Sequence, residues 1–393
     1  MIKPLAYHEN IVDWLCTNED GVWDWFSMRK LQDDQDTETR DLLLKETYRL
    51  SREAHGAVYD CCETAMAKLG VEAPVTLYQA GDGAMNAALF FIPDEVHIVL
   101  YGPVLEKLSK VELTALFGHE VSHYLLWTLQ DRRYRIAQQI IDDSAQQSVS
   151  DYALSETARL YRLSTEVFAD RGATLAAGGA EPAIAVLLKV MTGLATTDPT
   201  AFLEQAAELD AKGEINKSSS HPEVYLRALF IDRWERGDSP QQEVDSWVLA
   251  KLKGPLAIGS LDLIDQARLT ATTRQFFSLL LYDTTLASEM VVTQVKQFFP
   301  DWQAGETALD PSSLTELATD KSIRDYLIAL IFDLAHADPD QTEEMLARGG
   351  KFAAAMDWEA DYRENLKALL KMRKPQIDRV LSASKKVAWE FGR

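Results

Sequence analysis

His119 and His123 stand four residues apart in "LTALFGHEVSHYLLW" (113–127), an otherwise apolar run, with Glu120 between them. On a helix, side chains four apart project from one face, about one turn from each other. That spacing lets two imidazole nitrogens meet one ion at roughly 2.0–2.1 Å, the zinc–nitrogen distance. Glu120 points off the ligand axis yet can reach a water on the metal. This is the HExxH arrangement, in which the glutamate is a general base rather than a ligand. Buried helix faces rarely carry three such residues without a use. The alternative is a helix whose histidines are satisfied by neighbouring carboxylates.

Catalytic zinc takes three protein ligands and leaves a fourth position to water. A metzincin would place glycine and histidine three and six positions after His123, where this chain has Leu126 and Leu129. The short-gap spacing, with glutamate nineteen residues after the second histidine, falls on Asp142, a weak fallback. "TEVFAD" offers a better pair, Glu166 and Asp170, which share a helix face at i, i+4. Glu166 would bind the metal, and Asp170 would hold a ligand histidine by its free N–H and so fix its tautomer. Taken alone, this pair reads more readily as an acidic solvated face; taken with the histidines, it reads as ligation.

Four ordered segments resemble the gluzincin peptidases of the CAAX prenyl protease and HtpX heat-shock protease type. "HEVSH" (119–123) and "EVFADR" (166–171) match that family's HExxH and ExxxD motifs. "AMNAALFF" (84–91) resembles its Asn-Ala edge strand, and "SSSHPEVYLRAL" (218–229) its late S/T-H-P segment. The resemblance implies that Asn86 and Ala87 pair with substrate backbone. It implies further that His221 contacts substrate or transition state near the metal, with Arg227 in support. Most members are membrane-embedded or membrane-anchored and this chain shows no spanning segment, so their substrates do not carry over. His8, His55, His97 and His336 fit no ligand spacing and read as structural or exposed.

The elements that must position these residues are mostly helical. The first seventy residues read as helix, with "DTETRDLLLKETYRLSREAHGAVYDCCETAMAKLG" closing on Gly70. "VTLYQA", "AALFFI" and "VHIVLYG" are short β-rich runs between turn signals, which predicts a small antiparallel sheet. A helix starts near Ser109 with Glu112 completing a capping box, and a second runs from about Ser150 to Gly178. Ala169, Ala173 and Ala177 on it would let another helix approach closely. The expected fold is mainly α with a small antiparallel sheet: a zincin-like peptidase domain followed by a helical C-terminal domain. We expect an N-terminal helical region at 1–70, the peptidase core at 71–240, and an acidic helical domain at 255–393.

A chain of 393 residues is too long for one ordinary core. Its 40 basic against 61 acidic residues give a formal charge of −21, which argues against nucleic acid as partner. Cys16, Cys61 and Cys62 form no disulfide framework, and no signal peptide is visible; both fit the cytoplasm. The last third weakly resembles TerB-like helical modules at "DLAHADPD", without their glycine, and is otherwise mute beyond a possible protein contact. The expected function is a zinc-dependent endopeptidase with one Zn²⁺ per chain, Glu120 activating the hydrolytic water, and peptide or protein as substrate. A catalytically inactive, metal-stabilised adaptor using the acidic helical tail is the alternative.

Overall fold

The computed structural model describes residues 2–28, 30–81, 83–147, 152–254, 256–282, 285–305 and 320–388. They fall into two compact units, Met1–Gly254 and Pro255–Arg393. The first unit opens with α1 (Ala6–Asn18), α2 (Asp20–Phe26), α3 (Lys30–Glu46), β1 (Tyr48–Arg49) and α4 (Arg52–Leu69). The helical reading of the first seventy residues is therefore interrupted by β1. β1 pairs antiparallel with a later strand, and the Leu50 N–H donates to the Leu77 carbonyl at 2.9 Å. Two residues carry too little local signal to be read as strand; tertiary pairing decides them. Helix resumes where the Ser51 side chain accepts from the Ala54 N–H at 3.3 Å, and ends at Gly70 in the left-handed region (φ 71°).

β2 (Val75–Gln79), β3 (Asn86–Ile92) and β4 (Glu95–Tyr101) complete a four-stranded sheet of order β1-β2-β4-β3. The sheet is mixed rather than wholly antiparallel. β3 and β4 form an antiparallel hairpin turning at Asp94 (φ 64°), and β4 runs parallel to β2, with Val75 opposite Val96. The five central residues of β4 are all buried, which suits the interior position between two partners. β3 is left as an edge strand.

Next come α5 (Val104–Lys107), α6 (Lys110–Gln147), α7 (Tyr152–Ala177), α8 (Ala180–Thr192), α9 (Pro199–Ala211), α10 (Val224–Arg236) and α11 (Gln241–Lys253). α6 begins with the expected capping box: Ser109 N–H donates to Glu112 Oε2 at 2.7 Å, and Glu112 N–H to Ser109 Oγ at 3.4 Å. α6 is broken at Leu129 (ψ 142°), and Gln130, Asp131 and Arg132 follow with φ of 48°, 56° and 65°. Left-handed backbone costs a non-glycine residue about 1–2 kcal/mol, so contacts must hold this turn. Trp127 Nε1 donates across it to Gln138 Oε1 at 2.9 Å, and Tyr161 Oη on α7 donates to the Tyr134 carbonyl at 2.8 Å. Residues 148–151, at the expected start of the second helix, lie outside the described residues.

α6 and α7 approach each other on glycines rather than on the alanine stripe alone. A Cβ on Gly118 would collide with Ala176, and one on Gly172 would collide with the Ser122 side chain. Replacing Gly172 with alanine is expected to cost about 1–3 kcal/mol, the scale of overpacking. Urea unfolding measures it; adding Ser122→Gly should recover part of the loss, and no recovery would place the strain elsewhere.

His8 on α1 is fully buried against α7. Its Nδ1 accepts from the Leu5 N–H at 3.3 Å, and its Nε2 lies 3.1 Å from Thr165 Oγ1. Thr165 spends its own proton on the Tyr161 carbonyl, so it accepts from His8, which is thereby held as the neutral Nε2–H tautomer. Burial, helped by the charge on Arg171, lowers the pKa of His8 to about 3. Between that value and an unfolded pKa near 6.5 the unfolded chain binds the extra proton, so stability falls as pH falls through this window. His8→Gln is expected to flatten the slope of unfolding free energy against pH there by up to about 1.4 kcal/mol per pH unit.

The second unit is helical throughout its described residues: α12 (Leu263–Leu280), α13 (Glu289–Phe298), α14 (Lys321–Ala337), α15 (Thr342–Ala355), α16 (Glu359–Ala368) and α17 (Lys374–Ser384). Phe276, Phe277, Trp302, Ile331, Phe352 and Tyr362 centre its core. Within "DLAHADPD", Asp338 caps the next turn by accepting from the Asp340 N–H at 3.1 Å. Among the described residues, no helix is long and apolar enough to cross a membrane.

Candidate functional site

α6 carries His119, Glu120 and His123 beneath the edge strand, and α7 brings Glu166 and Asp170 against them. One nitrogen from each histidine and one carboxylate oxygen of Glu166 lie within 4.8 Å of one another. It is the one such cluster among the described residues that could hold a metal ion. His119 Nε2 and His123 Nε2 face each other at 3.2 Å; Glu166 Oε2 is 3.4 Å from the first, and Oε1 3.7 Å from the second. Two nitrogens bound tetrahedrally to zinc at roughly 2.0–2.1 Å sit about 3.3 Å apart, so this spacing fits. Glu166 Oε2 is also buried with no hydrogen-bond partner, an arrangement that leaves a carboxylate oxygen free for a cation.

Behind the cluster, His119 Nδ1 meets Asp170 Oδ1 at 3.1 Å. Arg227 on α10 grips the same carboxylate twice, Nε to Oδ2 at 2.8 Å and Nη2 to Oδ1 at 2.6 Å. Its Nη2 is also 3.6 Å from Glu166 Oε2. His221 precedes α10 with its side chain 61% exposed, and its Nε2 reaches to 3.6 Å from Glu166 Oε2. Glu120 does not touch the cluster; its Oε2 accepts the Leu89 N–H of β3 at 2.9 Å. Asn86 and Ala87, at the start of β3, line the same cleft. Asp142 stands apart, paired with Arg162 at 3.3 Å. His97 is buried between Tyr78 and Glu95.

The charges are strongly coupled. Burial alone would lower the pKa of His119, but Asp170 and Glu166 outweigh it and raise it to about 10. For His123 burial outweighs the attraction of Glu166, and its pKa is lowered to about 4. Burial opposes ionisation of Glu166 and Asp170 as well, yet the histidines and Arg227 keep both carboxyls below their usual range. Glu120 goes the other way: burial dominates and raises it. A raised carboxyl near neutral charges is suited to taking and returning a proton.

The cleft encloses about 720 Å³. Trp127, Gln138 and Arg162 line it on one side of the cluster, and Leu116 with Val186, Leu187 and Val190 of α8 on the other. None of these was readable from the sequence. Trp127 and Gln138 meet only because α6 folds back at its left-handed turn, and α8 reads as an ordinary apolar helix.

A histidine pair on one helix, a carboxylate from the next, and an open strand edge above them define a zincin-like metallopeptidase domain. Residues 55–235 match peptidase family M48. The chain is similar to the plastoglobule-localized metallopeptidase 48, chloroplastic, of Arabidopsis thaliana. Identity is 27% over 201 residues, 46% of this chain and 56% of that protein. The chain thus spans a little over half the length of that relative. No solved structure matches.

Proposed function

We propose that this protein is a zinc-dependent endopeptidase, with one Zn²⁺ held by His119, His123 and Glu166. The observation that carries the reading is the convergence of those three side chains with Glu120 alongside, inside a cleft roofed by a strand edge. A zinc ion there would supply Lewis acidity, acidifying water and polarising a carbonyl. The chain's own groups do the rest. The unpaired side of β3 aligns an extended peptide by strand addition, with Asn86 and Ala87 at its start. Glu120 takes the proton of the attacking water and returns it to the leaving amine. His221, exposed and close to Glu166, can donate an N–H to the developing oxyanion. Arg227 and Asp170 fix the ring of His119 and keep Nε2 turned inward.

The relative's printed name, a metallopeptidase, supports the same class of reaction. Location belongs to the proposal too: the cysteine usage fits the cytoplasm, the relative's name gives a chloroplast plastoglobule, and cell fractionation distinguishes them. The test is digestion of an unfolded protein by the zinc-loaded full chain, read as new α-amino groups. Chelation should abolish their release and zinc restore it. Stoichiometric zinc with no cleavage of any unfolded peptide would instead favour the inactive adaptor.

A further inference from the structure

The apolar side of the cleft is formed with α8, whose sequence stays apolar beyond the last lining residue, Val190. Leu116, Val186, Leu187 and Val190 line the cleft, and the next large apolar residues along the chain, Met191 and Leu194, are 52% and 57% exposed. Met191 stands four residues after Leu187, on the same face of α8 and one turn further out. Leu194 is not a loose tail. The preceding Gly193 adopts φ 71° and donates to the Lys189 carbonyl at 2.8 Å, and its own carbonyl is held by Lys107 Nζ. The Leu194 N–H in turn donates to Thr192 Oγ1 at 3.2 Å. Large apolar side chains held in water next along the chain from an apolar cleft wall can extend that wall as one contact surface.

The direction of β3 says which part of a substrate would meet it. Along β3, Leu89 contacts Glu120, and Phe91 packs near Tyr124 and Trp127, with ring centroids 5.9 Å and 5.6 Å apart. β3 and the first half of α6 therefore run the same way, and the start of β3 lies toward Leu116. A peptide added antiparallel to β3 has its carboxyl-terminal half at that end. One helical turn of about 5.4 Å spans nearly two residues of extended chain at about 3.3 Å each. Met191 and Leu194 then face positions beyond the residue seated over Leu187.

We infer that this cleft selects polypeptides with several apolar side chains on the carboxyl side of the cleaved bond, and that Met191 and Leu194 are specificity determinants for the outer ones. Such runs are buried in folded proteins, so the substrate class is unfolded or extended apolar chain. The inference rests on the peptidase reading above. Two ten-residue peptides that differ only in having leucine or serine at the third and fourth positions after the scissile bond provide the test. With the zinc-loaded full chain, the leucine peptide is expected to show kcat/KM about tenfold higher. Met191→Asp with Leu194→Asp should bring the ratio close to one, while Met290→Asp, an exposed change in the second unit, should leave it at the wild-type value. Equal cleavage of both peptides overturns the inference and leaves the peptidase reading standing. So does a preference for leucine on the amino side of the bond instead. Cleavage of neither peptide, nor of any unfolded protein, removes both.

Discussion

Zinc-loaded Glu120→Gln protein is expected to bind metal as wild type does and to cleave unfolded peptide at least about a thousandfold more slowly. The substitution is nearly isosteric, and glutamine's carbonyl oxygen can still accept the Leu89 N–H that now meets Glu120 Oε2 at 2.9 Å. Glu120 makes no hydrogen bond to His119, His123 or Glu166, so the cation's ligands stay where they are. What is lost is a group able to take a proton and give it back. Burial raises the pKa of Glu120, so the carboxylate is a stronger base than an exposed one and a competent acid once protonated. The carboxamide of glutamine does neither near neutral pH. Elemental analysis and release of α-amino groups separate the two properties, and retention of full proteolysis would remove Glu120 from the reaction.

The cluster of His119, His123 and Glu166 was legible in the sequence because its parts are local. His119 and His123 need only a helix, and Ser109 with Glu112 announces where that helix begins. Glu166 and Asp170 needed more: their i, i+4 spacing puts them on one helix face, and only the histidines and the ExxxD resemblance pointed that face at the cluster. The sequence does not state the reason α6 and α7 pack so closely. Gly118 and Gly172 permit it, and a glycine inside a helix reads as a weakness until its opposite number is known. Three strands were visible as β-rich runs, but their order was not. Alternation says which residues face inward, whereas the placement of β4 between β2 and β3 depends on how thoroughly each strand can be buried. β1 was invisible, being two residues made into a strand by what lies beside them.

The left-handed turn in α6 was the least readable feature of all. Gln130, Asp131 and Arg132 carry no glycine to mark positive φ, so nothing local predicts the break. The contacts that hold it, Trp127 with Gln138 and Tyr134 with Tyr161, exist only once the turn has formed. That turn brings Gln138 to the cleft. A sequence reading finds residues whose spacing is set by a single helix; it misses those whose proximity is set by an exception to one.

Metal affinity should rise with pH, and the site predicts by how much. Free of metal, His119 holds its proton up to a pKa of about 10, because Asp170 and Glu166 outweigh the burial that opposes it. His123, lowered to about 4, is already neutral, and Glu166 is already ionised. Across the interval between those two histidine values, each cation bound must therefore displace one proton, that of His119. Apparent affinity should then climb about tenfold per pH unit, measured by competition with a chelator whose own pH dependence is known. Asp170→Asn removes the first carboxylate partner of His119 and leaves an amide able to accept from the same N–H. The proton then leaves at lower pH, the upper part of the interval flattens, and affinity at alkaline pH falls about 10–100-fold through loss of the group that orients the ring. A wild-type affinity independent of pH through neutrality would mean that His119 is already neutral there, and that Asp170 and Glu166 do not outweigh its burial.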